Sequence, residues 1–417
     1  MPNTLPTRRA ALAGAAAVTS LSACGVKSVR TSSFTAKGLQ DMEAALTAHV
    51  AEGSPPGLVA LVQRGGETHA WALGVKTLGQ ADPVRRDTPF RIASMTKAVT
   101  AIAANMLIED GKLRLDEPVE RLLPELANRR VLRTPTSELD DTVPARRPIT
   151  LDDVLTFRLG WGVQFADTPF TRAAADLPGF GMPDPASPYT PDSFMKRMGE
   201  LPLQAQPGEQ WLYTAGSNIL GVLIARAAGQ PLGQLFQERV LGPLGMKDTG
   251  FVGAAERLPT AYMPHEGGLN TFDPPDGAYS RAPSFPAGDA GLVSTADDFA
   301  ALGRFMLSGR TPDGRRLLSQ RALARMTTDQ LTPEQRKGGE PILGPDRGWG
   351  HIGVNIRQSP EGVPVGAYGW EGGLGTSWFN DPSRDLTAVL LTQRIFDGPD
   401  APEVHKDFWR TAISAAA

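Results

Sequence analysis

The sequence has one cysteine, Cys24, so no intramolecular disulfide can brace it, and no cysteine–histidine cluster exists to hold zinc. Its five histidines (His49, His69, His265, His351 and His405) are scattered and fall in no recognisable motif. Each reads as a surface or loop histidine, not a catalytic base. Basic residues, 42, do not outnumber the 45 acidic ones, which leaves a formal net charge of −3. Without a basic stripe the chain is excluded as a nucleic-acid binder. Beyond the N-terminal leader no run approaches the ~18 apolar residues that a spanning helix needs. Gly-x-Ser-x-Gly is absent, which argues against the nucleophile elbow of α/β hydrolases. Neither Gly65-Gly66 nor the glycines around 372 follow a dinucleotide or phosphate-loop pattern, so neither cofactor nor metal is expected.

The N-terminus carries Arg8-Arg9, a weakly apolar Ala-rich stretch, then Leu21-Ser22-Ala23-Cys24. A charged start, a short apolar region and a small-residue cleavage site form an export signal over 1–24, and the paired arginines fit twin-arginine export. Leu-Ser-Ala-Cys is similar to the lipobox of bacterial lipoproteins, which implies lipidation at Cys24 and an exported, periplasmic or cell-envelope protein. Residues 25–36 read as a tether.

The 37–52 segment has Leu39, Met42, Leu46 and Val50 at helical spacing. Strand-like runs follow at Gly57 to Arg64 and Thr68 to Val75, with Gly65-Gly66 as a hairpin signal. Pro89 to Ile92 leads into Ser94, and an Ala-rich helix runs from there to Asp110 with Val99, Ile102, Met106 and Leu107 on one face. Residues 115–290 change character: Pro, Gly and Asp are frequent, strand alternation is absent, and helices are expected at Asn218 to Ala228 and Leu232 to Val240. After a helix at Ala296 to Leu307, strands return at Gly366 to Trp370, Thr376 to Phe379 and Leu386 to Arg394. The last is apolar enough for a central strand. The simplest architecture is an α/β core built from both chain ends (37–114 and 291–417) with a mostly helical, loop-rich lobe (115–290) inserted between them.

Without a candidate histidine, a nucleophilic serine needs another base. Ser-x-x-Lys provides one, because residues i and i+3 share a helix face. A serine at a helix N-terminus also meets free N–H groups and the positive end of the dipole. The sequence has two such tetrads, Ser94-Met95-Thr96-Lys97 and Ser193-Phe194-Met195-Lys196. Ser94 lies at a strand-to-helix junction backed by an apolar helix; Ser193 opens a charged segment and reads as an N-cap. Ser94 is the candidate nucleophile and Lys97 its partner.

Around this tetrad the chain resembles the serine β-lactamase and penicillin-binding-protein-like hydrolases, especially class C β-lactamases and family VIII carboxylesterases. The resemblance also rests on Gln206-Pro207-Gly208 leading to Tyr213, on Pro243 to Phe251, and on Gly291-Leu292-Val293-Ser294-Thr295-Ala296-Asp297-Asp298. It implies an antiparallel sheet flanked by helices over 37–417, with Ser94 acylated, Lys97 beside it and Tyr213 as general base and then acid. It further implies that Trp370-Glu371-Gly372 stands where β-lactamases carry Lys-Thr-Gly, and that the N–H groups of Ser94 and Gly373 form the oxyanion hole. Taken alone, Tyr213 reads as a buried hydroxyl satisfying a loop, Trp370 as a strand aromatic, and Gly372 and Gly373 as sites of close backbone approach.

Two departures bear on substrate. Ala215 replaces the asparagine of Tyr-x-Asn, and Trp370 replaces a lysine that helps receive a substrate carboxylate. Thr156-Phe157-Arg158-Leu159-Gly160, where many relatives read Thr-His-Thr-Ser-Gly, also departs beside the site. An apolar wall in place of polar groups suits a small neutral ester. The expectation is a carboxylesterase. A β-lactamase or D-amino-acid peptidase is the alternative within the fold, with Arg394 as a source of cation, and a non-catalytic envelope lipoprotein is the alternative outside catalysis.

Overall fold

The computed structural model describes residues 33–357, 363–398 and 401–417. The expected export signal with Cys24, and the tether up to residue 32, lie outside these residues. The folded unit begins at Ser33, earlier than the expected boundary at 37. Phe34 is buried, and Thr35 caps the first helix, its Oγ1 accepting the Gly38 N–H at 3.2 Å. The end of the expected tether is therefore part of the fold.

The main sheet takes its strands from both ends of the chain: β1 (Gly57–Arg64), β2 (Glu67–Gly74), β3 (Arg347–Trp349), β4 (Val354–Ile356), β5 (Tyr368–Gly372), β6 (Thr376–Asp381) and β7 (Leu386–Thr392). Their spatial order is β2-β1-β7-β6-β5-β4-β3, antiparallel throughout. β7 is buried along its whole length, as an apolar run in mid-sheet should be. Alternate side chains serve opposite faces. Val59, Leu61, Trp378 and Val389 enter one core; Leu58, Ala60, Phe379 and Leu390 enter the other. Helices α1 (Ala36–Ala51) and, at the far end of the chain, α5 (Glu403–Ala415) cover the second face through Met42, Leu46, Phe408 and Ala412. On the first face lie α2 (Thr96–Glu109), α3 (Gly216–Ala228) and α4 (Ala296–Ser308). The expected architecture, an antiparallel sheet flanked by helices with a largely helical insertion, is the one observed.

Some details differ. α2 is buried on every side from Thr96 to Leu107, not on one face. Its alanines let the sheet and lobe pack against it from all directions. The middle of the chain holds strands as well: hairpins pair Arg130–Leu132 with Thr142–Pro144 and Ala261–His265 with Gly268–Asp273. Both are short or half exposed, and Pro264 interrupts the second, so neither shows the alternation of a buried strand. Ser193 is not an N-cap: Thr190 is, and Ser193 completes its capping box three residues on. His351, a loop residue as expected, is nonetheless buried, and His405 is buried within α5 and not on the surface or in a loop.

Candidate active site

The first tetrad sits where the short strand Phe90–Arg91 turns through a 3-10 turn, Ala93–Met95, into α2. Ala93 holds φ at 42°, in the left-handed region that non-glycine residues rarely occupy. This sharp turn is fixed from the sheet side, where Thr376 Oγ1 donates to the Ile92 carbonyl at 3.1 Å. Ser94 stays partly accessible while its neighbours Ala93 and Met95 are buried.

One helical turn on, Lys97 is 2% exposed. Its Nζ donates to Ser94 Oγ at 3.0 Å and to the Asp289 carbonyl at 3.0 Å. Burial lowers the ammonium's pKa to about 8, with the negative charge of Asp289 opposing part of the shift. A lysine so placed is neutral often enough near neutral pH to accept a proton.

Tyr213 closes the third side. Its Oη accepts the Trp370 indole N–H at 2.7 Å, and Lys97 Nζ lies 4.7 Å from the centre of its ring. Burial pushes the phenol above the usual tyrosine range, against the pull of hydrogen bonds from Ser94 and Trp370. The ring stands in an aromatic cluster, with Trp370 at 5.5 Å, Trp211 at 5.6 Å, Phe157 at 5.7 Å and Trp349 at 6.1 Å between centroids. Such rings fix orientation, because two torsions per aromatic leave little freedom once packed.

Trp370 is thus more than wall: it holds the tyrosine oxygen. Gly372, the last residue of β5, is buried, and a Cβ there would stand 2.2 Å from the Ile92 carbonyl. This glycine lets the strand end abut the turn that carries Ser94. Gly373, just beyond, is exposed, with open space where a side chain would be. Ser94, Lys97, Tyr213, Trp370 and Gly372 are therefore brought together, Gly373 follows directly from Gly372, and Ser193 and Lys196 lie apart on the exposed face of another helix. Arg394 has its guanidinium forked onto Asp397, with both contacts at 2.9 Å.

Sequence reasoning missed Asp289. It lines a cavity of about 340 Å³, its backbone carbonyl faces Lys97, and Thr214 Oγ1 donates to its carboxylate at 3.4 Å. Burial raises its carboxyl pKa, opposed by Lys97. The signal was slight: an acid two residues before the Gly291-Leu292-Val293 block. Phe157, in the segment already singled out as departing beside the site, holds φ at 57°, its ring centroid 5.7 Å from that of Tyr213 and its carbonyl accepting the Leu212 N–H at 2.8 Å.

Comparison with known proteins gives this geometry a setting. A family model described as Beta-lactamase matches residues 42–407. Protein Rv1367c of Mycobacterium tuberculosis is 38% identical over 339 residues, 78% of this chain and 82% of that protein. Esterase EstB of Burkholderia gladioli is 31% identical over 372 residues, 83% of this chain and 88% of that protein. Among solved structures, that of EstCE1, described as a hydrolase with promiscuous acyltransferase activity, superposes with a TM-score of 0.77 at 26% identity, covering 91% of this chain and 98% of that one.

Proposed function

The chain belongs to the Beta-lactamase family, and from that premise we propose that it is a serine carboxylesterase acting on small esters that carry no carboxylate. One observation carries the reading: the indole of Trp370 is hydrogen-bonded to Tyr213 Oη, so the strand position where relatives receive an anion is occupied by a neutral donor turned inward. Arg394, the alternative cation, is paired with Asp397. The relative named Esterase EstB and the hydrolase EstCE1 support the same class.

The distances support a two-step mechanism. Lys97, 3.0 Å from Ser94 Oγ and lowered to about 8, takes the serine proton as Oγ bonds to the ester carbonyl carbon. The developing oxyanion is held by the N–H groups of Ser94 and Gly373. Tyr213, kept protonated by burial, passes its proton to the departing alcohol and is resupplied from Lys97. Water then attacks the acyl carbon, giving a proton to Lys97; the bond from that carbon to Ser94 Oγ breaks, Oγ recovers the proton from Lys97, and the acid leaves. The base is thus Lys97, and the phenol is the acid.

The leader motif supports a place in the cell envelope with lipidation at Cys24; a Cys24→Ala variant recovered in the soluble fraction would support this, and one still in the membrane would contradict it. The enzymatic reading is tested by a fluorophosphonate probe followed by peptide mass spectrometry. Adduct on Ser94 is expected. An unlabelled Ser94 in folded protein would return the chain to the class of non-catalytic binding proteins.

A further inference from the structure

The cavity lined by Asp289 adjoins the nucleophile's base yet has no part in the chemistry just described. It runs between the loop of residues 175–188 and the segment 279–291. Five of its lining residues are prolines, so its walls are largely preformed. None of the lining residues is Lys, Arg or His. Asp176 and Asp184 also line it, but each is engaged within its own loop, Asp176 by the Tyr189 hydroxyl at 2.8 Å and Asp184 by the Ala186 N–H at 2.8 Å. Asp289 differs. It is 6% exposed, and the hydrogen bonds its carboxylate receives come from neutral groups such as Thr214.

The backbone explains why the acid sits there. Gly179, at φ 93°, passes so close that a Cβ would stand 3.3 Å from Ala215 Cα and 3.5 Å from Asp289 Oδ2. The small Ala215 leaves room for that approach. Asp289 and Gly179 line the cavity, and Ala215, the departure at Tyr-x-Asn, is packed behind Gly179.

An electrostatic consequence follows. Lys97 is the cation beside Asp289, and it acts as base only after losing its charge. At that moment a buried carboxylate is left without that counter-charge, which is costly. A substrate that brought its own cation would supply one. Phe285, in the lining, adds an aromatic ring of the kind that accepts quaternary ammonium groups, while the ring of Tyr279, also in the lining, already has the Arg91 guanidinium 5.5 Å from its centroid.

Building on the esterase reading, we infer that this cavity is a subsite for a cationic group of the substrate, anchored by Asp289, so that the preferred esters carry an alkylammonium in their alcohol or acyl part. The same carboxylate would repel substrates that place an anion there.

Matched pairs of esters that differ only in charge test this with the full chain. On the alcohol side, butyrylcholine is compared with 3,3-dimethylbutyl butyrate. On the acyl side, the nitrophenyl ester of 4-(trimethylammonio)butyrate is compared with that of 5,5-dimethylhexanoate. The wild type is expected to favour the cationic member of at least one pair by about tenfold or more in kcat/KM, the low end of close charge-pair couplings. In Asp289→Asn that ratio should fall to about one. Equal turnover within both pairs, or a preference that survives Asp289→Asn, would overturn the inference while leaving the esterase reading intact. If neither member of either pair is hydrolysed, the esterase reading fails and takes the subsite with it. Should Asp289→Asn fail to fold, inhibition of wild-type nitrophenyl butyrate hydrolysis decides: choline should compete and 3,3-dimethylbutanol should not, and equal effects of the two would overturn the inference.

Discussion

The lowered pKa of Lys97 makes a quantitative prediction about pH. A solvated lysine, near 10.5, would be neutral in only about three of ten thousand molecules at pH 7; at about 8 the share is roughly one in ten. The gain, about 300-fold, corresponds to roughly 3.4 kcal/mol. Because the neutral amine is the active form, kcat/KM for a short nitrophenyl ester should rise with pH, level off above about 8, and stand about 100-fold below its plateau at pH 6. The charge of Asp289 raises the lysine pKa, so Asp289→Asn should move the rising limb to lower pH. The assay is initial-rate kinetics from pH 5.5 to 9.5, corrected for spontaneous hydrolysis. A limb centred near the solvated value, or a limb that moves up in Asp289→Asn, would refute the assignment of Lys97 as base.

Two further outcomes follow. Trp370→Phe keeps the ring but removes the indole N–H from Tyr213 Oη, leaving a buried acceptor short of a partner; kcat should drop by about 5- to 100-fold with little change in KM or circular dichroism, and an unchanged kcat would contradict the positioning role. Leu390→Ala, in the central strand at 0% exposure, should cost about 2–5 kcal/mol in chemical denaturation while active-site kinetics at 25 °C stay within a factor of two or so.

What the sequence revealed, and what it hid, divides along chain distance. Ser94 and Lys97 are one helical turn apart, so a four-residue pattern sufficed, and the apolar runs of β1 and β7 announced a buried sheet. Even the choice between the two tetrads followed from local context, since a serine after a strand and before a buried helix differs from one among exposed charges. Asp289 had no such local mark: it meets Lys97 across 192 residues and does so through a backbone carbonyl, a group every residue has. The aromatic cluster around Tyr213 joins its near neighbour Trp211 to three other segments, at 157, 349 and 370, and only their convergence gives it meaning. The burial of His351 and His405 was hidden for a related reason. Histidine carries no local sign of burial, and the partner that identifies His351 as interior, Asn105, lies 246 residues away. The hairpin at Ala261–His265 and Gly268–Asp273 was hidden by Pro264, which an exposed edge tolerates.

The most direct test sets nitrophenyl butyrate beside nitrocefin, for the protein lacking residues 1–24 and its Ser94→Ala variant. Ester turnover that is strong in the first, lost by several orders of magnitude in the second, and accompanied by little nitrocefin hydrolysis is the result predicted here. Fast nitrocefin turnover with poor ester turnover, or ester turnover that survives Ser94→Ala, would contradict it.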